Sequence, residues 1–451
     1  MTDKEYEVRD TIWGFISYNA WERDIIDMPE FQRLRRIKQL ALTEMVYPGA
    51  HNTRFEHSLG VMHLASKMYD NICKKDKLGY NFLEKEIGYT SSGLERTRQI
   101  IRLAALLHDI GHAPFSHASE EIMPVVDNRT NEKYSHEYYT AAIIMGPLRK
   151  TIEEHTLNKN YNITAEEIAG LIMGNKELLG KANEYNLMWK NLLSGQLDAD
   201  RGDYLLRDSY YTGVKYGVYD VERLIVTSIL GRNPEVTQQD GGYNSWIIGV
   251  GKGGWQVAEA LIIARYSMFS QVVFHKTRMA YDYHFNEVMR SFLKEKFGKS
   301  TFPLPTEEGL NKFLSLDDTS VWNYMNENRK KDENCRAIIE RKHIRRIYET
   351  PENPSDKDID KINENMEILK RAGLFCYRAK LHKRWYELGG SDSPEIIVFK
   401  THNQDGEHLY GEHLSTYSKI VTSLMEGIRQ QRIYVKSDDL KEAEGLLKNK
   451  K

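Results

Sequence analysis

Cysteine is scarce: Cys73, Cys335 and Cys376 are scattered over 451 positions, with no CxxC pair. An odd, dispersed set excludes a disulfide framework and a cysteine zinc site, and it fits a reducing compartment. Net charge is nearly absent too, because 63 basic residues face 65 acidic ones for a formal −2. Global charge therefore gives no argument for nucleic acid or a membrane surface, and any anion site must come from local clustering. No apolar run approaches the roughly 20 residues of a membrane helix. The N-terminal Met1-Thr2-Asp3-Lys4-Glu5 carries no signal-peptide core. The expectation is a soluble cytoplasmic chain without internal repeats. Its 451 residues suffice for one large domain or two to three ordinary ones, and a 40% hydrophobic content for a substantial core.

What is present is concentrated in Ala104-Ala105-Leu106-Leu107-His108-Asp109-Ile110-Gly111-His112-Ala113-Pro114-Phe115-Ser116-His117. An apolar helical run ends in adjacent His108 and Asp109, then turn formers and two more histidines. A buried imidazole beside a carboxylate needs a partner. Backbone groups are one such partner, and a divalent metal (Fe, Zn, Mn, Mg or Ni) is the other. A pair cannot hold a metal alone, so further ligands must come from elsewhere. Arg54 and His57 are three apart and share a helix face. Ser135 precedes His136 and Glu137 at a helix start, where the helix dipole favours a carboxylate. Asp200, Tyr204 and Asp208 are spaced by four and line one face of a helix flanked by Leu197, Leu205 and Leu206. A packed acidic stripe needs cations, which makes Asp200 the candidate fourth ligand.

The periodicities predict a mainly helical chain. Short strands or a hairpin turning at Gly14 lead from Val8 into a first helix by Ile26. Asp27-Met28-Pro29-Glu30 reads as a capped start for a helix through Leu40, with Phe31, Leu34 and Ile37 buried and Gln32, Arg33, Arg35 and Arg36 outside. Tyr47-Pro48-Gly49-Ala50 breaks the chain before the helix that carries Arg54 and His57. Residues 74–98 read as a polar insertion, with helix returning at Gln99, and 120–132 as a loop. Gly241 to Val250 suggests a hairpin. One long helix is expected from Gly254 to Lys296, a boundary at Pro303 and Pro305, and a linker from Pro351 to Asn365. Strands at Glu395–Phe399 and Arg432–Val435 precede a charged terminal helix.

His57, His108-Asp109 and Asp200 form the order H…HD…D, which resembles the HD-domain phosphohydrolase superfamily. Five ordered blocks (31–40, 54–60, 108–117, 135–137 and 198–204) extend the likeness to its deoxynucleoside triphosphate triphosphohydrolase branch, the dGTPase-like enzymes. They are close in pattern to those that carry a sterile alpha motif beside the HD domain. The resemblance covers roughly residues 8–350. No sterile alpha motif is expected ahead of the first block.

The resemblance implies a mainly α fold, an HD-domain helical bundle with a smaller α+β C-terminal region, divided as 1–300 and 301–451. It implies a metal on His57, His108, Asp109 and Asp200, with Mg accompanying the nucleotide phosphates. The reaction implied is dNTP plus water to deoxynucleoside and tripolyphosphate. His112, His117 and His136 are candidates for proton delivery, with Glu137 tuning an imidazole. Arg54 and Arg265 match phosphate contacts. Gln39, Leu40, Arg201, Tyr204 and Asp208 fall at positions that contact substrate. An activating dNTP or GTP at a subunit interface would meet Asp27, Gln32, Arg35, Arg223, Arg341 and Arg345, in a homo-oligomer (dimer or tetramer). The chain departs from the pattern at Tyr6, where a lysine is expected, and near Phe269 and Val273. The alternatives are an HD phosphohydrolase acting on a monophosphate, a cyclic dinucleotide or (p)ppGpp, or a nucleotide-binding regulator without turnover.

Overall fold

The computed structural model describes residues 4–75, 78–85, 87–127, 129–236, 243–386, 395–402 and 408–448. Its centre is a pair of packed helices, Arg54–Ile72 and Ser91–Leu107. Thr53 and Glu56 form a capping box at the first, and Thr90 caps the second. From Ile100 to Leu107 every side chain of the second helix is buried, so this segment is core on all sides. Its one charged member, Arg102, is satisfied by two 2.6 Å bonds to Glu22. This central helix carries His108 and Asp109 at its C-terminal end, inside the molecule.

Two glycines allow the close approaches that build the site. A Cβ on Gly60 would lie 1.9 Å from Asp203 Oδ1, so only glycine lets helix Ala199–Thr212 cross helix Arg54–Ile72 here. A Cβ on Gly111 would lie 2.3 Å from the His136 carbonyl oxygen, so the turn after Asp109 can pack on the start of helix His136–Met145.

The sheets are small. An antiparallel hairpin pairs Tyr6–Asp10 with Gly14–Tyr18, in register from Tyr6↔Tyr18 to Asp10↔Gly14. A four-stranded sheet runs in the order His408–His413, Ile397–His402, Trp246–Gly251, Ser228–Arg232. Strands from either side of residue 300 thus share one sheet. A three-stranded antiparallel sheet places Gln431–Val435 between Arg345–Glu349 and Cys376–Lys380. Ile433 and Val435 pack with Ile362, Leu369 and Ala443 from helices Asp356–Arg371 and Leu440–Lys448, while Tyr434 and Ala379 pack with Ala280. The fold is mainly α with this smaller α+β region. Among the described residues no single helix is long and apolar enough to cross a membrane.

Several local expectations are corrected. The helix expected from Asp27 to Leu40 is only Pro29–Gln32, continued as a 3₁₀ turn Arg33–Arg36. Asp27 closes the preceding helix Ala20–Ile26, and Met28 stands at the N-cap. Arg33, expected on the outer face, is buried and donates to the carbonyls of Leu316 and His112. Ile37 then turns extended, and Lys38 bridges to Thr53. Within 74–98, Leu78–Lys85 is helical and the next helix already starts at Ser91. The 120–132 segment holds a short strand, Val125–Asp127. Trp246–Gly251 pairs with Ser228–Arg232 rather than closing a local hairpin, and Gly241 and Gly242 lie outside the described residues. The long helix is two, Trp255–Met268 and Lys276–Phe297, separated by a π-turn at Phe269–Val273 and bent by 64°. The His275 side chain caps the second by accepting from the Thr277 N–H. Two thirds of the expected linker, residues 356–365, lies in helix Asp356–Arg371, opened by a Ser355/Asp358 capping box.

Candidate metal and phosphate site

Three helices bring the four proposed ligands together: ligand atoms of His57, His108 and Asp109 lie within 4.8 Å of one another, and Asp200 adjoins the two histidines. His57 lies in the first turn of Arg54–Ile72, His108 and Asp109 follow Ser91–Leu107, and Asp200 lies in the first turn of Ala199–Thr212. His57 Nε2 is 3.0 Å from Asp200 Oδ1 and 3.4 Å from Asp109 Oδ2. His108 Nε2 is 3.4 Å from the same Asp109 oxygen and 3.8 Å from Asp200 Oδ1.

Both imidazoles are oriented from behind. The Ala105 carbonyl, 2.8 Å from His108 Nδ1, can only accept, so the proton sits on Nδ1. His108 Nε2 is buried with no hydrogen-bond partner among the described residues. His57 Nδ1 is 2.8 Å from Asp203 Oδ2. Burial alone would lower the His57 pKa, but bonds to Asp200 and Asp203 and the charge of Asp109 outweigh it and push it up to about 10. Burial would raise Asp109 and Asp200, but Arg54 and the histidines hold Asp109 well below the usual carboxylate range, and His108 and His57 do the same for Asp200. Carboxylates so placed demand a cation, and in the protein alone a proton on His57 supplies it. Two imidazole nitrogens and two carboxylate oxygens suit Mn, Fe, Mg, Zn or Ni, so the residues fit a divalent metal.

A second set lies beside the first. His112 Nε2 is 3.2 Å from Asp109 Oδ1, and the His112 and His136 rings stack with centroids 3.9 Å apart. Asp109, His112 and His136 form a further group within metal-ligating reach of one another. Burial, then the charges of Arg54 and His136, keeps His112 well below the usual histidine range. His117 Nδ1 is 2.5 Å from Glu120 Oε1, and His136 Nε2 is 3.5 Å from Glu137. Arg54 pairs with Asp109 and donates to Ser116 Oγ at 3.0 Å. The loop between is strained: Phe115 and Ser116 both take left-handed φ, at 58° and 52°. Buried Asp318 holds it by accepting from the N–H groups of Phe115 and Lys38 at 2.7 and 2.9 Å.

A cavity of about 150 Å³ opens onto this cluster. Gln39, Arg54, His108, Asp109, His112, His117, His136, Glu137, Asp200 and Tyr204 line it, with Ile172 and Leu193 as its apolar wall. Five side-chain atoms there are buried without a hydrogen-bond partner among the described residues: Gln39 Oε1, Arg54 Nη2, His108 Nε2, His112 Nε2 and Glu137 Oε2. Each such atom costs on the order of 1–3 kcal/mol. Their gathering in one cavity marks a ligand site.

Other candidates sit away from the lining. Leu40 is half-buried. Arg201 is turned to the Gly195 carbonyl and Asp198. Asp208 is buried one turn past Tyr204, accepts from Asn52 Nδ2 at 2.7 Å, and is pushed up to about 7 by burial. Arg265 donates to the Trp385 carbonyl at 3.1 Å. Gln32 and Arg35 hydrogen-bond to each other, and Arg35 stacks on Phe55. Arg223 donates to the Gly253 carbonyl, Arg341 to that of Met45, and Arg345 is exposed at the start of its strand. The sequence reading missed Asp203 and Glu120. Asp203 stands four before Arg207, and Glu120 three after His117, which are the spacings of helical ion pairs.

Residues 54–183 match the HD domain family model. An uncharacterised protein of Methanocaldococcus jannaschii is 37% identical over 288 residues, 64% of this chain and 49% of that one. A Dictyostelium discoideum deoxynucleoside triphosphate triphosphohydrolase SAMHD1 homolog is 35% identical over 218 residues, 48% of this chain and 38% of its own. The chain thus spans half or less of the length of these curated relatives. The crystal structure of a hypothetical protein from Aquifex aeolicus superposes with a TM-score of 0.73 at 28% identity, covering 98% of this chain and all of that one.

Proposed function

We propose that this chain, whose residues 54–183 match the HD domain model and which resembles a Dictyostelium SAMHD1 homolog, is a divalent-metal-dependent dNTP triphosphohydrolase. It converts dNTP and water to deoxynucleoside and inorganic tripolyphosphate. The observation that carries this reading is the cavity itself: Arg54 Nη2 and His108 Nε2, buried without a hydrogen-bond partner among the described residues, belong to residues that line one space with Asp109 and Asp200, beside the His57, His108 and Asp109 cluster. Names of relatives add the substrate class, since the Dictyostelium homolog is called a deoxynucleoside triphosphate triphosphohydrolase.

The bound cation, held by His57, His108, Asp109 and Asp200, would polarise an α-phosphoryl oxygen and acidify a water. Arg54 presents its free guanidinium nitrogen to the triphosphate. The water oxygen bonds to the α-phosphorus, the bond from that phosphorus to O5′ breaks, and O5′ takes a proton. His117 is the donor in this reading. Glu120 holds its Nδ1, which orients the ring, whereas His112 is buried against Asp109. The 150 Å³ cavity takes the reacting phosphate rather than a whole nucleotide, which needs about 300 Å³ or more. Tyr204 and Gln39 line the cavity and would contact the sugar, Tyr204 closing on C2′, with Asp208 one turn further along the helix. Residues 1–300 would supply the catalytic groups and 301–451 the regulatory ones, although a shared sheet and Asp318 join the two parts. Asp27, Gln32, Arg35, Arg223, Arg341 and Arg345, dispersed over separate elements, would take an activating dNTP or GTP in a site completed by a second copy.

Two results test this reading. Tyr204→Ala should cut the preference for dNTP over rNTP about 10–200-fold, the worth of one apolar steric contact. Competing turnover of a dNTP and its rNTP reads it, and an unchanged ratio rejects the sugar assignment. Metal binding should also release a proton. His57 holds one up to about pH 10 in the metal-free protein, and a ligating imidazole must be neutral. Affinity therefore rises with pH below that value. Calorimetry in buffers of different ionisation enthalpy would show about one proton released per metal, and zero release contradicts His57 as a ligand.

A further inference from the structure

Asp203 is fully buried, and each of its oxygens is bonded twice. Oδ2 meets His57 Nδ1 at 2.8 Å and Arg207 Nε at 2.8 Å. Oδ1 accepts from the indole Nε1–H of Trp13 at 2.6 Å and from Arg207 Nη2 at 2.9 Å. A carboxylate with both oxygens doubly engaged has no rotation left. Trp13 comes from the turn of the N-terminal hairpin, 190 residues away in sequence. That turn is fixed in the same circuit. Asp10 Oδ1 accepts from the N–H groups of Ile12 and Trp13 at 2.8 and 2.9 Å, and Asp10 Oδ2 pairs with Arg207 Nη1 at 2.8 Å. Gly60 leaves the space, since its Cβ would strike Asp203 Oδ1 and Arg207 Nη2. The ring of bonds runs from Asp203 through Trp13, the turn, Asp10 and Arg207 back to Asp203, and it reaches the metal cluster through His57.

We propose that the hairpin turn is a working part of the metal site, with Trp13 a positioning residue that acts through Asp203 to hold the tautomer and ring plane of His57. The inference rests on the metal reading above. His57 must keep its Nδ1–H on Asp203 so that the Nε2 lone pair faces Asp109 and Asp200. Without the indole N–H, Asp203 Oδ1 loses a buried donor and the carboxylate is free to turn toward Arg207. His57 then loses its fixed orientation. Outer-shell partners of this kind are worth about 10–100-fold in metal affinity.

Trp13→Phe isolates the effect. It removes the N–H and keeps an aromatic ring on His63, whose centroid lies 5.4 Å from that of Trp13. Phe15→Leu is the control, on the same hairpin but 55% exposed. Full-length protein is stripped of metal and titrated with Mn²⁺ by calorimetry, and the metal-free forms are melted. The expected result is Mn²⁺ affinity lowered about 10–100-fold in Trp13→Phe, wild-type affinity in Phe15→Leu, and similar metal-free Tm in all three. Wild-type affinity in Trp13→Phe overturns the inference and leaves the metal site standing. A metal-free Tm that falls in step with affinity also overturns it, because the loss is then one of fold. Absence of Mn²⁺ binding by the wild type overturns the metal reading and this inference with it.

Discussion

Replacing Asp109 with Ala should leave a protein that binds no divalent cation and hydrolyses no dNTP above background. Asp109 is the hub of the cluster. Its Oδ2 lies 3.4 Å from both His57 Nε2 and His108 Nε2, and its Oδ1 lies 3.2 Å from His112 Nε2. Without it the two imidazoles lose the anion between them, and the remaining carboxylate, Asp200, cannot complete a four-donor set. The variant also loses stability, because Arg54 is 2% exposed and pairs with Asp109. Stranding a buried charge costs about 3–5 kcal/mol. Asp109→Asn, which keeps the shape and one acceptor oxygen, should therefore melt nearer the wild type while remaining as inactive as Asp109→Ala. Metal content by mass spectrometry, turnover and Tm of the pair separate the chemical loss from the structural one. An Asp109→Asn protein that retains metal and turnover would remove Asp109 from the ligand set.

The second large effect is on proton delivery. His117→Gln should lower kcat about 10²–10⁴-fold, the range for loss of a general acid, with KM little changed. The cause is specific, because the acid is needed only where O5′ departs as an alkoxide. A substrate analogue with an aryl leaving group of low pKa should be nearly insensitive to the same substitution. Glu120→Gln should fall between the two, since Glu120 orients His117 through a 2.5 Å bond and does not reach the leaving group itself. The opposite pattern, near-normal turnover in His117→Gln with the loss in His136→Gln, would move the acid to His136. His136 stacks on His112 and lines the same cavity.

The parts legible in the sequence are those written in local periodicity. The apolar run into His108-Asp109, the Arg54/His57 spacing and the Asp200/Tyr204 spacing place these residues on helices that meet at one cavity. The hairpin around Gly14 is equally local. What periodicity does not carry is a polar residue taken inward by a distant partner. Arg33 looks like an outer-face residue, yet it is buried because the carbonyls of Leu316 and His112 wait for it. Asp203 looks like one more charge on an acidic helix, yet its partner Trp13 lies 190 residues away. The bend at Phe269–Val273 leaves no glycine or proline as a mark. The capping box at Ser355 and Asp358, by contrast, was available in the sequence and lay hidden under the polar composition around it.

The central claim is attack at the α-phosphorus with release of intact tripolyphosphate. Hydrolysis of each dNTP in ¹⁸O-labelled water, with Mn, Mg or Fe and with other nucleotides added singly as activators, tests it most directly by mass spectrometry of the products. The account predicts unlabelled deoxynucleoside and tripolyphosphate carrying one ¹⁸O on its α-derived phosphorus. Deoxynucleoside monophosphate with pyrophosphate, label in the nucleoside, or no dNTP turnover under any of these conditions would contradict it.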